Sequence, residues 1–144
     1  MIVDVKEYCV FIPYFFIEET ISSLYDFVGK VLQTKQIQSF NGTTTTVDKW
    51  MTYDHAGRLT KTEQQINGAN KTTVSQMAYN ELGQLTNKKL GNNIQSLDYG
   101  YNIRGWLTNI NDPDNLGTSL FAMKLLYNDN SPISGIASSA NDQF

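Results

Sequence analysis

The stretch Tyr53–Thr60 reads YDHAGRLT, and the chain repeats it as YNELGQLT at Tyr79–Thr86 and as YNIRGWLT at Tyr101–Thr108. Each copy runs Tyr, Asp or Asn, two free positions, Gly, one free position, Leu, Thr. The starts lie 26 and then 22 residues apart. A period in that range marks a repeat architecture, whose units cannot bury an apolar face alone and rely on their neighbours. Repeats of this kind build surfaces and walls and seldom a catalytic centre.

The phrase has a direct physical reading as a turn. Tyr53, Tyr79 and Tyr101 close one strand. The next residue, Asp54, Asn80 or Asn102, can accept a hydrogen bond from the backbone N–H two residues on, as an Asx turn. Gly57, Gly83 and Gly105 stand where a hairpin with a type I turn and a bulge requires positive φ. Leu59, Leu85 and Leu107 then re-enter the core, and the Thr points the other way on the return strand. Each unit is thus expected to be a hairpin with a tight turn at the phrase and a looser turn to the next unit.

Working outward, three zones separate. Residues 1–32 share no pattern with the repeat. Within them Tyr8–Ile17 is apolar and reads as a buried strand. Ile17, Ile21, Leu24, Val28, Val31 and Leu32 recur at helical spacing, so a short helix from about Ile21 to Leu32 is expected, with Thr20 as its cap. Residues 33–113 are polar, alternating and punctuated by the turn signals Asn41-Gly42, Asn67-Gly68 and Gly91-Asn92-Asn93. Stepping back by two from each phrase tyrosine gives Met51, Met77 and Tyr99, which share a strand face with it. Residues 114–144 hold one more candidate strand within Leu116–Asp129, followed by a Ser/Ala/Gly-rich end at Ser131–Phe144 expected to fray. The fold class expected is mainly β: antiparallel hairpin repeats forming an open curved sheet, with a possible short N-terminal helix.

Composition agrees with a modest soluble domain. The net charge of −3 leaves no overall basic footprint for nucleic acid. Its distribution is uneven: residues 1–30 carry −3, residues 31–110 carry +3 and residues 111–144 carry −3. Swings this mild fit a solvated surface. Cys9 is the sole cysteine, which rules out an intramolecular disulfide and any Cys-based metal site. The run Tyr8–Ile17 is too short to span a bilayer, and Pro13 interrupts it. The acids around it argue against a secretory signal. A leader acquired by a truncated gene is a further reading.

Candidate chemistry is thin. Asp54, His55 and Arg58 lie together, but the position of His55 holds Glu81 and Ile103 in the other copies, and that of Arg58 holds Gln84 and Trp106. His55 therefore reads as an exposed turn residue. Asp54 lacks the several oxygen ligands that calcium wants. Trp50, Tyr99, Tyr101 and Trp106 read as a packed stripe, with stacking on sugars or bases as the alternative. Phosphate-binding loops, nucleophile elbows and zinc spacings are absent from the sequence. No catalytic residue, cofactor site or metal site is expected.

The three phrases resemble the YD repeat of the Rhs family, bacterial relatives of the teneurin shell. The resemblance covers about Val47 to Asp129, and Tyr99–Pro113 with Ser119–Asp129 is similar to the repeat-to-core segments of Rhs proteins from Bacteroides-like bacteria. It implies hairpins joined side by side into a spiralling shell, which encloses a toxic C-terminal domain or presents an adhesive cell-surface wall. The partners implied are neighbouring YD repeats, or self-association through sheet edges. In full-length relatives, expected to be secreted or on the cell surface, they include an encapsulated toxin or surface glycans. Neither nucleic acid nor a membrane span is implied. The chain departs from the family in its few copies, in Asp112-Pro113-Asp114 as only an echo of the family's self-cleaving core, and in unmatched ends. The expectation is a piece of a longer shell.

Overall fold

The computed structural model describes residues 2–12 and 15–127. They form ten strands: β1 (Ile2–Ile12), β2 (Phe15–Tyr25), β3 (Val31–Phe40), β4 (Thr43–Tyr53), β5 (Leu59–Ile66), β6 (Thr72–Tyr79), β7 (Leu85–Leu90), β8 (Gln95–Tyr101), β9 (Leu107–Ile110) and β10 (Met123–Lys124). No helix occurs among the described residues. The chain divides into two compact units, Met1–Met77 with Leu90–Ile94, and Ala78–Lys89 with Gln95–Phe144.

In the first unit β1 to β6 pair antiparallel, each with its neighbour in the chain. In the second, the order is β7-β8-β9-β10, with β8 and β10 antiparallel to β9. Within each unit the strands pair only with their neighbours in the chain among the described residues. The mainly β, antiparallel hairpin architecture expected from the phrase is therefore the observed one.

The short helix at Ile21–Leu32 is not formed. Those residues belong to the end of β2, a turn and the start of β3. Ile21 faces Lys6 on one side and Gln36 on the other, so β2 is paired along both edges. β-branched Thr20 and Ile21 and the pair Ser22-Ser23 favour extended backbone over helix. Gly29, at φ +86°, breaks any helix that reached it. The apolar run Tyr8–Ile17 falls in two strands, the end of β1 and the start of β2, rather than one. Its middle, residues 13–14, lies outside the described residues, as does the Ser131–Phe144 end. The strand expected within Leu116–Asp129 is confined to Met123–Lys124.

Among the described residues no hydrophobic side chain is fully buried; the buried residues are Ser75 and Asn111, both polar. A single sheet layer has no second layer to bury its faces, so cross-strand pairs and turn hydrogen bonds carry its order. The turn signals deliver these turns. Asn41-Gly42 and Asn67-Gly68 take positive φ at both residues, +47° with +79° and +49° with +73°. Asn41-Gly42 makes the two-residue connection from β3 to β4 whose geometry matches strand twist, whereas Asn67-Gly68 opens the five-residue connection 67–71 from β5 to β6.

Candidate functional site

The repeated turn is the structural feature that the sequence singles out. At Tyr53–Leu59 the N–H of Asp54 donates to the Arg58 carbonyl at 3.0 Å, and the N–H of Gly57 donates to the Asp54 carbonyl at 2.9 Å. The Asp54 carboxylate accepts from the Arg58 N–H at 2.9 Å. At Tyr79–Leu85 the same three bonds join Asn80 to Gln84 at 3.0 Å, Gly83 to Asn80 at 3.0 Å, and Gln84 to the Asn80 side chain at 2.9 Å. At Tyr101–Leu107 they join Asn102 to Trp106, Gly105 to Asn102, and Trp106 to the Asn102 side chain, each at 2.9 Å. Gly57, Gly83 and Gly105 have φ +79°, +81° and +81°, the region a β-carbon disfavours. A bulge follows in two copies, where Tyr53 faces Leu59 and Tyr101 faces Leu107 one residue out of step. All three tyrosines and all three leucines are half-buried. The leucines therefore return to a sheet face and not to a core.

The expected Asx bond two residues on is present at Asn102, which accepts from Arg104 N–H at 2.9 Å. The bond four residues on, common to all copies, is one that the phrase did not disclose. It ties the second position to the sixth, and the two side chains are matched in two copies. Asp54 meets the Arg58 guanidinium at 2.7 Å, and the Asn80 amide donates to the Gln84 side chain at 2.7 Å. The Arg58 backbone N–H, with the guanidinium behind it, holds the Asp54 carboxyl below the usual carboxylate range.

A fourth copy lies in the segment expected to be non-repeat. Tyr25-Asp26-Phe27-Val28-Gly29-Lys30-Val31 has Val where the others have Leu. Asp26 N–H donates to Lys30 O at 2.9 Å, and Gly29 N–H to Asp26 O at 3.3 Å. The Asp26 carboxylate accepts from Val28 N–H at 2.9 Å and Lys30 N–H at 2.8 Å. Tyr25 faces Val31 across the same kind of bulge. The signal was legible: Tyr-Asp-x-x-Gly stands 28 residues before Tyr53. The helical spacing around it masks the phrase.

The phrase tyrosine also has a role that its sequence did not disclose. Tyr53 donates its hydroxyl to the Val31 carbonyl at 2.8 Å, and Tyr101 donates to the Leu85 carbonyl at 2.9 Å. In both cases the acceptor is the seventh position of the copy before. The tyrosine thus ties one hairpin to its predecessor as well as closing a strand. Burial, followed by the charge of Asp26, pushes the Tyr53 phenol up.

At the far ends of the hairpins, asparagine side chains extend the ladder. Asn67 donates its N–H to Thr46 O at 2.9 Å while its side chain accepts from Thr46 N–H at 2.7 Å. Asn111 does the same with Asp98, at 2.7 and 2.9 Å, and its amide also donates to Phe121 O at 2.6 Å. His55 is exposed at the turn. No group of three metal-ligating side chains occurs among the described residues, nor does a helix long and apolar enough to cross a membrane.

Of the four aromatics expected as one stripe, Trp50 falls in the first unit and Tyr99, Tyr101 and Trp106 in the second. Lys71 Nζ sits 3.8 Å from the centre of the Trp50 ring. Trp106 is 44% exposed and packs at 5.2 Å on Tyr127. Beside this pair opens a cleft of about 550 Å³ lined by Asn102, Thr108, Asn109, Asp112, Lys124 and Tyr127, among others. A scan against protein-family models finds no match, and a search of curated proteins likewise finds none.

Proposed function

We propose that this chain is a non-catalytic structural segment of a YD-repeat wall, of the kind that encloses a toxin or forms an adhesive cell-surface face. The observation that carries the reading is the lateral bond from a phrase tyrosine to the seventh-position carbonyl of the preceding copy, made by both Tyr53 and Tyr101. A bond that in both cases points to the neighbouring hairpin is an assembly feature and gives no purchase to a substrate. The lack of a buried apolar core among the described residues adds support, because such a sheet gains by lateral extension and by a second layer. Its partners are further repeats of the same kind, met along the sheet edge. Size-exclusion chromatography with a far-ultraviolet melt tests this. The expected result is oligomeric, aggregated or partly unfolded protein; a sharp monomer peak with a cooperative melt sinks the reading.

A cleft lined by amides, carboxylates and Tyr127, on whose ring the part-exposed Trp106 packs, favours a second reading, a small glycan-binding sheet. Tryptophan fluorescence titrated with a glycan panel separates the two, since no shift with any sugar removes the second.

A further inference from the structure

The sixth position of the phrase is free in sequence, as Lys30, Arg58, Gln84 and Trp106. In space it is not free. The Lys30 side chain leaves its own turn and lies over the next copy, its ammonium 5.6 Å from the centre of the Tyr53 ring. A β-carbon added at Gly57 would meet the Lys30 ammonium and would stand 2.9 Å from its Cε. Gln84 repeats the arrangement one pair later, with Nε2 3.1 Å from where a β-carbon of Gly105 would be. Trp106 extends it, packing on the ring of Tyr127, a tyrosine 26 residues past Tyr101. Arg58 is turned to its own Asp54 by their ion pair and has further interactions.

The other turn glycines give the contrast. Among the described residues, nothing lies within 4 Å of a β-carbon built at Gly29, Gly42 or Gly68, although all three have positive φ. Gly42 and Gly68 are needed for backbone conformation alone. Gly57 and Gly105 are needed for conformation, and at both the end of the preceding copy's side chain lies where a β-carbon would be and would have to move aside.

We propose that the sixth residue of the phrase is a positioning residue that selects which hairpin can lie beside which. The Lys30 end is received by the glycine and tyrosine of the following copy, the Gln84 end by its glycine, and the Trp106 ring by a tyrosine at the repeat spacing. The partner it recognises is therefore another hairpin with glycine in its turn and tyrosine at its strand end. This deepens the wall reading and rests on it for its purpose, though the contact itself is internal to the chain. The position that looks variable in one copy is then matched to the next copy in line.

A double-substitution cycle on the full chain tests the idea, read by urea denaturation. The lysine end is flexible and can swing aside, so the contact is worth a part-exposed cation–π interaction, roughly two- to fivefold in the folding equilibrium. Gly57→Ala is expected to cost that factor more than Gly68→Ala, which measures backbone strain alone. Lys30→Ala is expected to lose the same factor in the parent and nothing further when Gly57 is already alanine, while Lys30→Arg retains it. Equal costs at Gly57 and Gly68, or additive effects of Lys30→Ala and Gly57→Ala, overturn the proposal. Where poor solubility blocks the melts, amide exchange decides the same point. Lys30→Ala should speed exchange of the Gly57 N–H and leave the Ala69 N–H unchanged; equal rates at Gly57 with and without Lys30 count against it. A monodisperse, cooperatively melting protein refutes the wall reading and leaves this cycle fully readable, so the two failures are distinct.

Discussion

Replacing Tyr53 by Phe isolates the lateral bond. The phenyl ring stays in place under Lys30, and only the hydroxyl that reaches the Val31 carbonyl at 2.8 Å is lost. A net intramolecular hydrogen bond contributes about 0.5–1.5 kcal/mol. Val31 is half-buried, so water can replace the hydroxyl only in part, and about 1 kcal/mol is expected. For a chain of this size that lowers the melting temperature by roughly 4 °C. The assay is a far-ultraviolet melt of parent and variant, with Tyr99→Phe as the control, because Tyr99 donates no side-chain hydrogen bond among the described residues. A second readout is pH. The folded state raises the Tyr53 phenol pKa through burial and then through Asp26, so it favours the neutral form. That contribution is fully present below about pH 10, the unfolded value, and is lost as pH rises through the folded value. The gap between parent and Tyr53→Phe should therefore close in strong alkali. A Tyr53→Phe protein that melts within about 1 °C of the parent at neutral pH would falsify the lateral tie as a source of stability.

Asp54→Asn should keep the turn, since Asn80 and Asn102 build the same one, and should remove an acid dependence. The Asp54 carboxyl is held low by the Arg58 backbone N–H and then by its guanidinium, so its contribution is present above the usual aspartate range and lost as pH falls through the folded value. A parent and variant with identical acid-unfolding midpoints would contradict this. Asn111→Ala should cost about 2–3 kcal/mol in urea denaturation, because it strips a buried side chain that serves both Asp98 and Phe121; a loss below about 0.5 kcal/mol would mean water satisfies those groups. Gly42→Ala should cost about 1 kcal/mol from strain at φ +79° with no steric contribution, and a neutral result would show that the turn relaxes to another type.

Much of the candidate site was legible in the phrase. The turn, its glycine φ, its Asx bond and the bulge are all local, fixed within seven residues by side-chain reach and Cβ sterics. Local chemistry of that kind can be read from one copy and checked against the next. The Asn-Gly turns were legible for the same reason. The fourth copy at Tyr25–Val31 was readable in principle. It was hidden because apolar residues at 17, 21, 24, 28 and 31 satisfy a helical period, and only pairing on both edges of β2 decides between the two. Where β-branched and serine residues interrupt such a period, the extended form gains its partners from strands that periodicity does not represent.

By itself, then, the sequence determined where the chain turns and that it folds as antiparallel hairpins. The tertiary structure alone decided what each turn does to its neighbour. Tyr53 reaching Val31, Tyr101 reaching Leu85 and Lys30 lying over Gly57 join residues 22, 16 and 27 positions apart. Such contacts depend on strand register, which is set by the sum of cross-strand pairs and bulges and by no single residue. The same register explains why the leucines that looked like core residues are only half-buried: one sheet layer can order its strands without a second layer to bury them against.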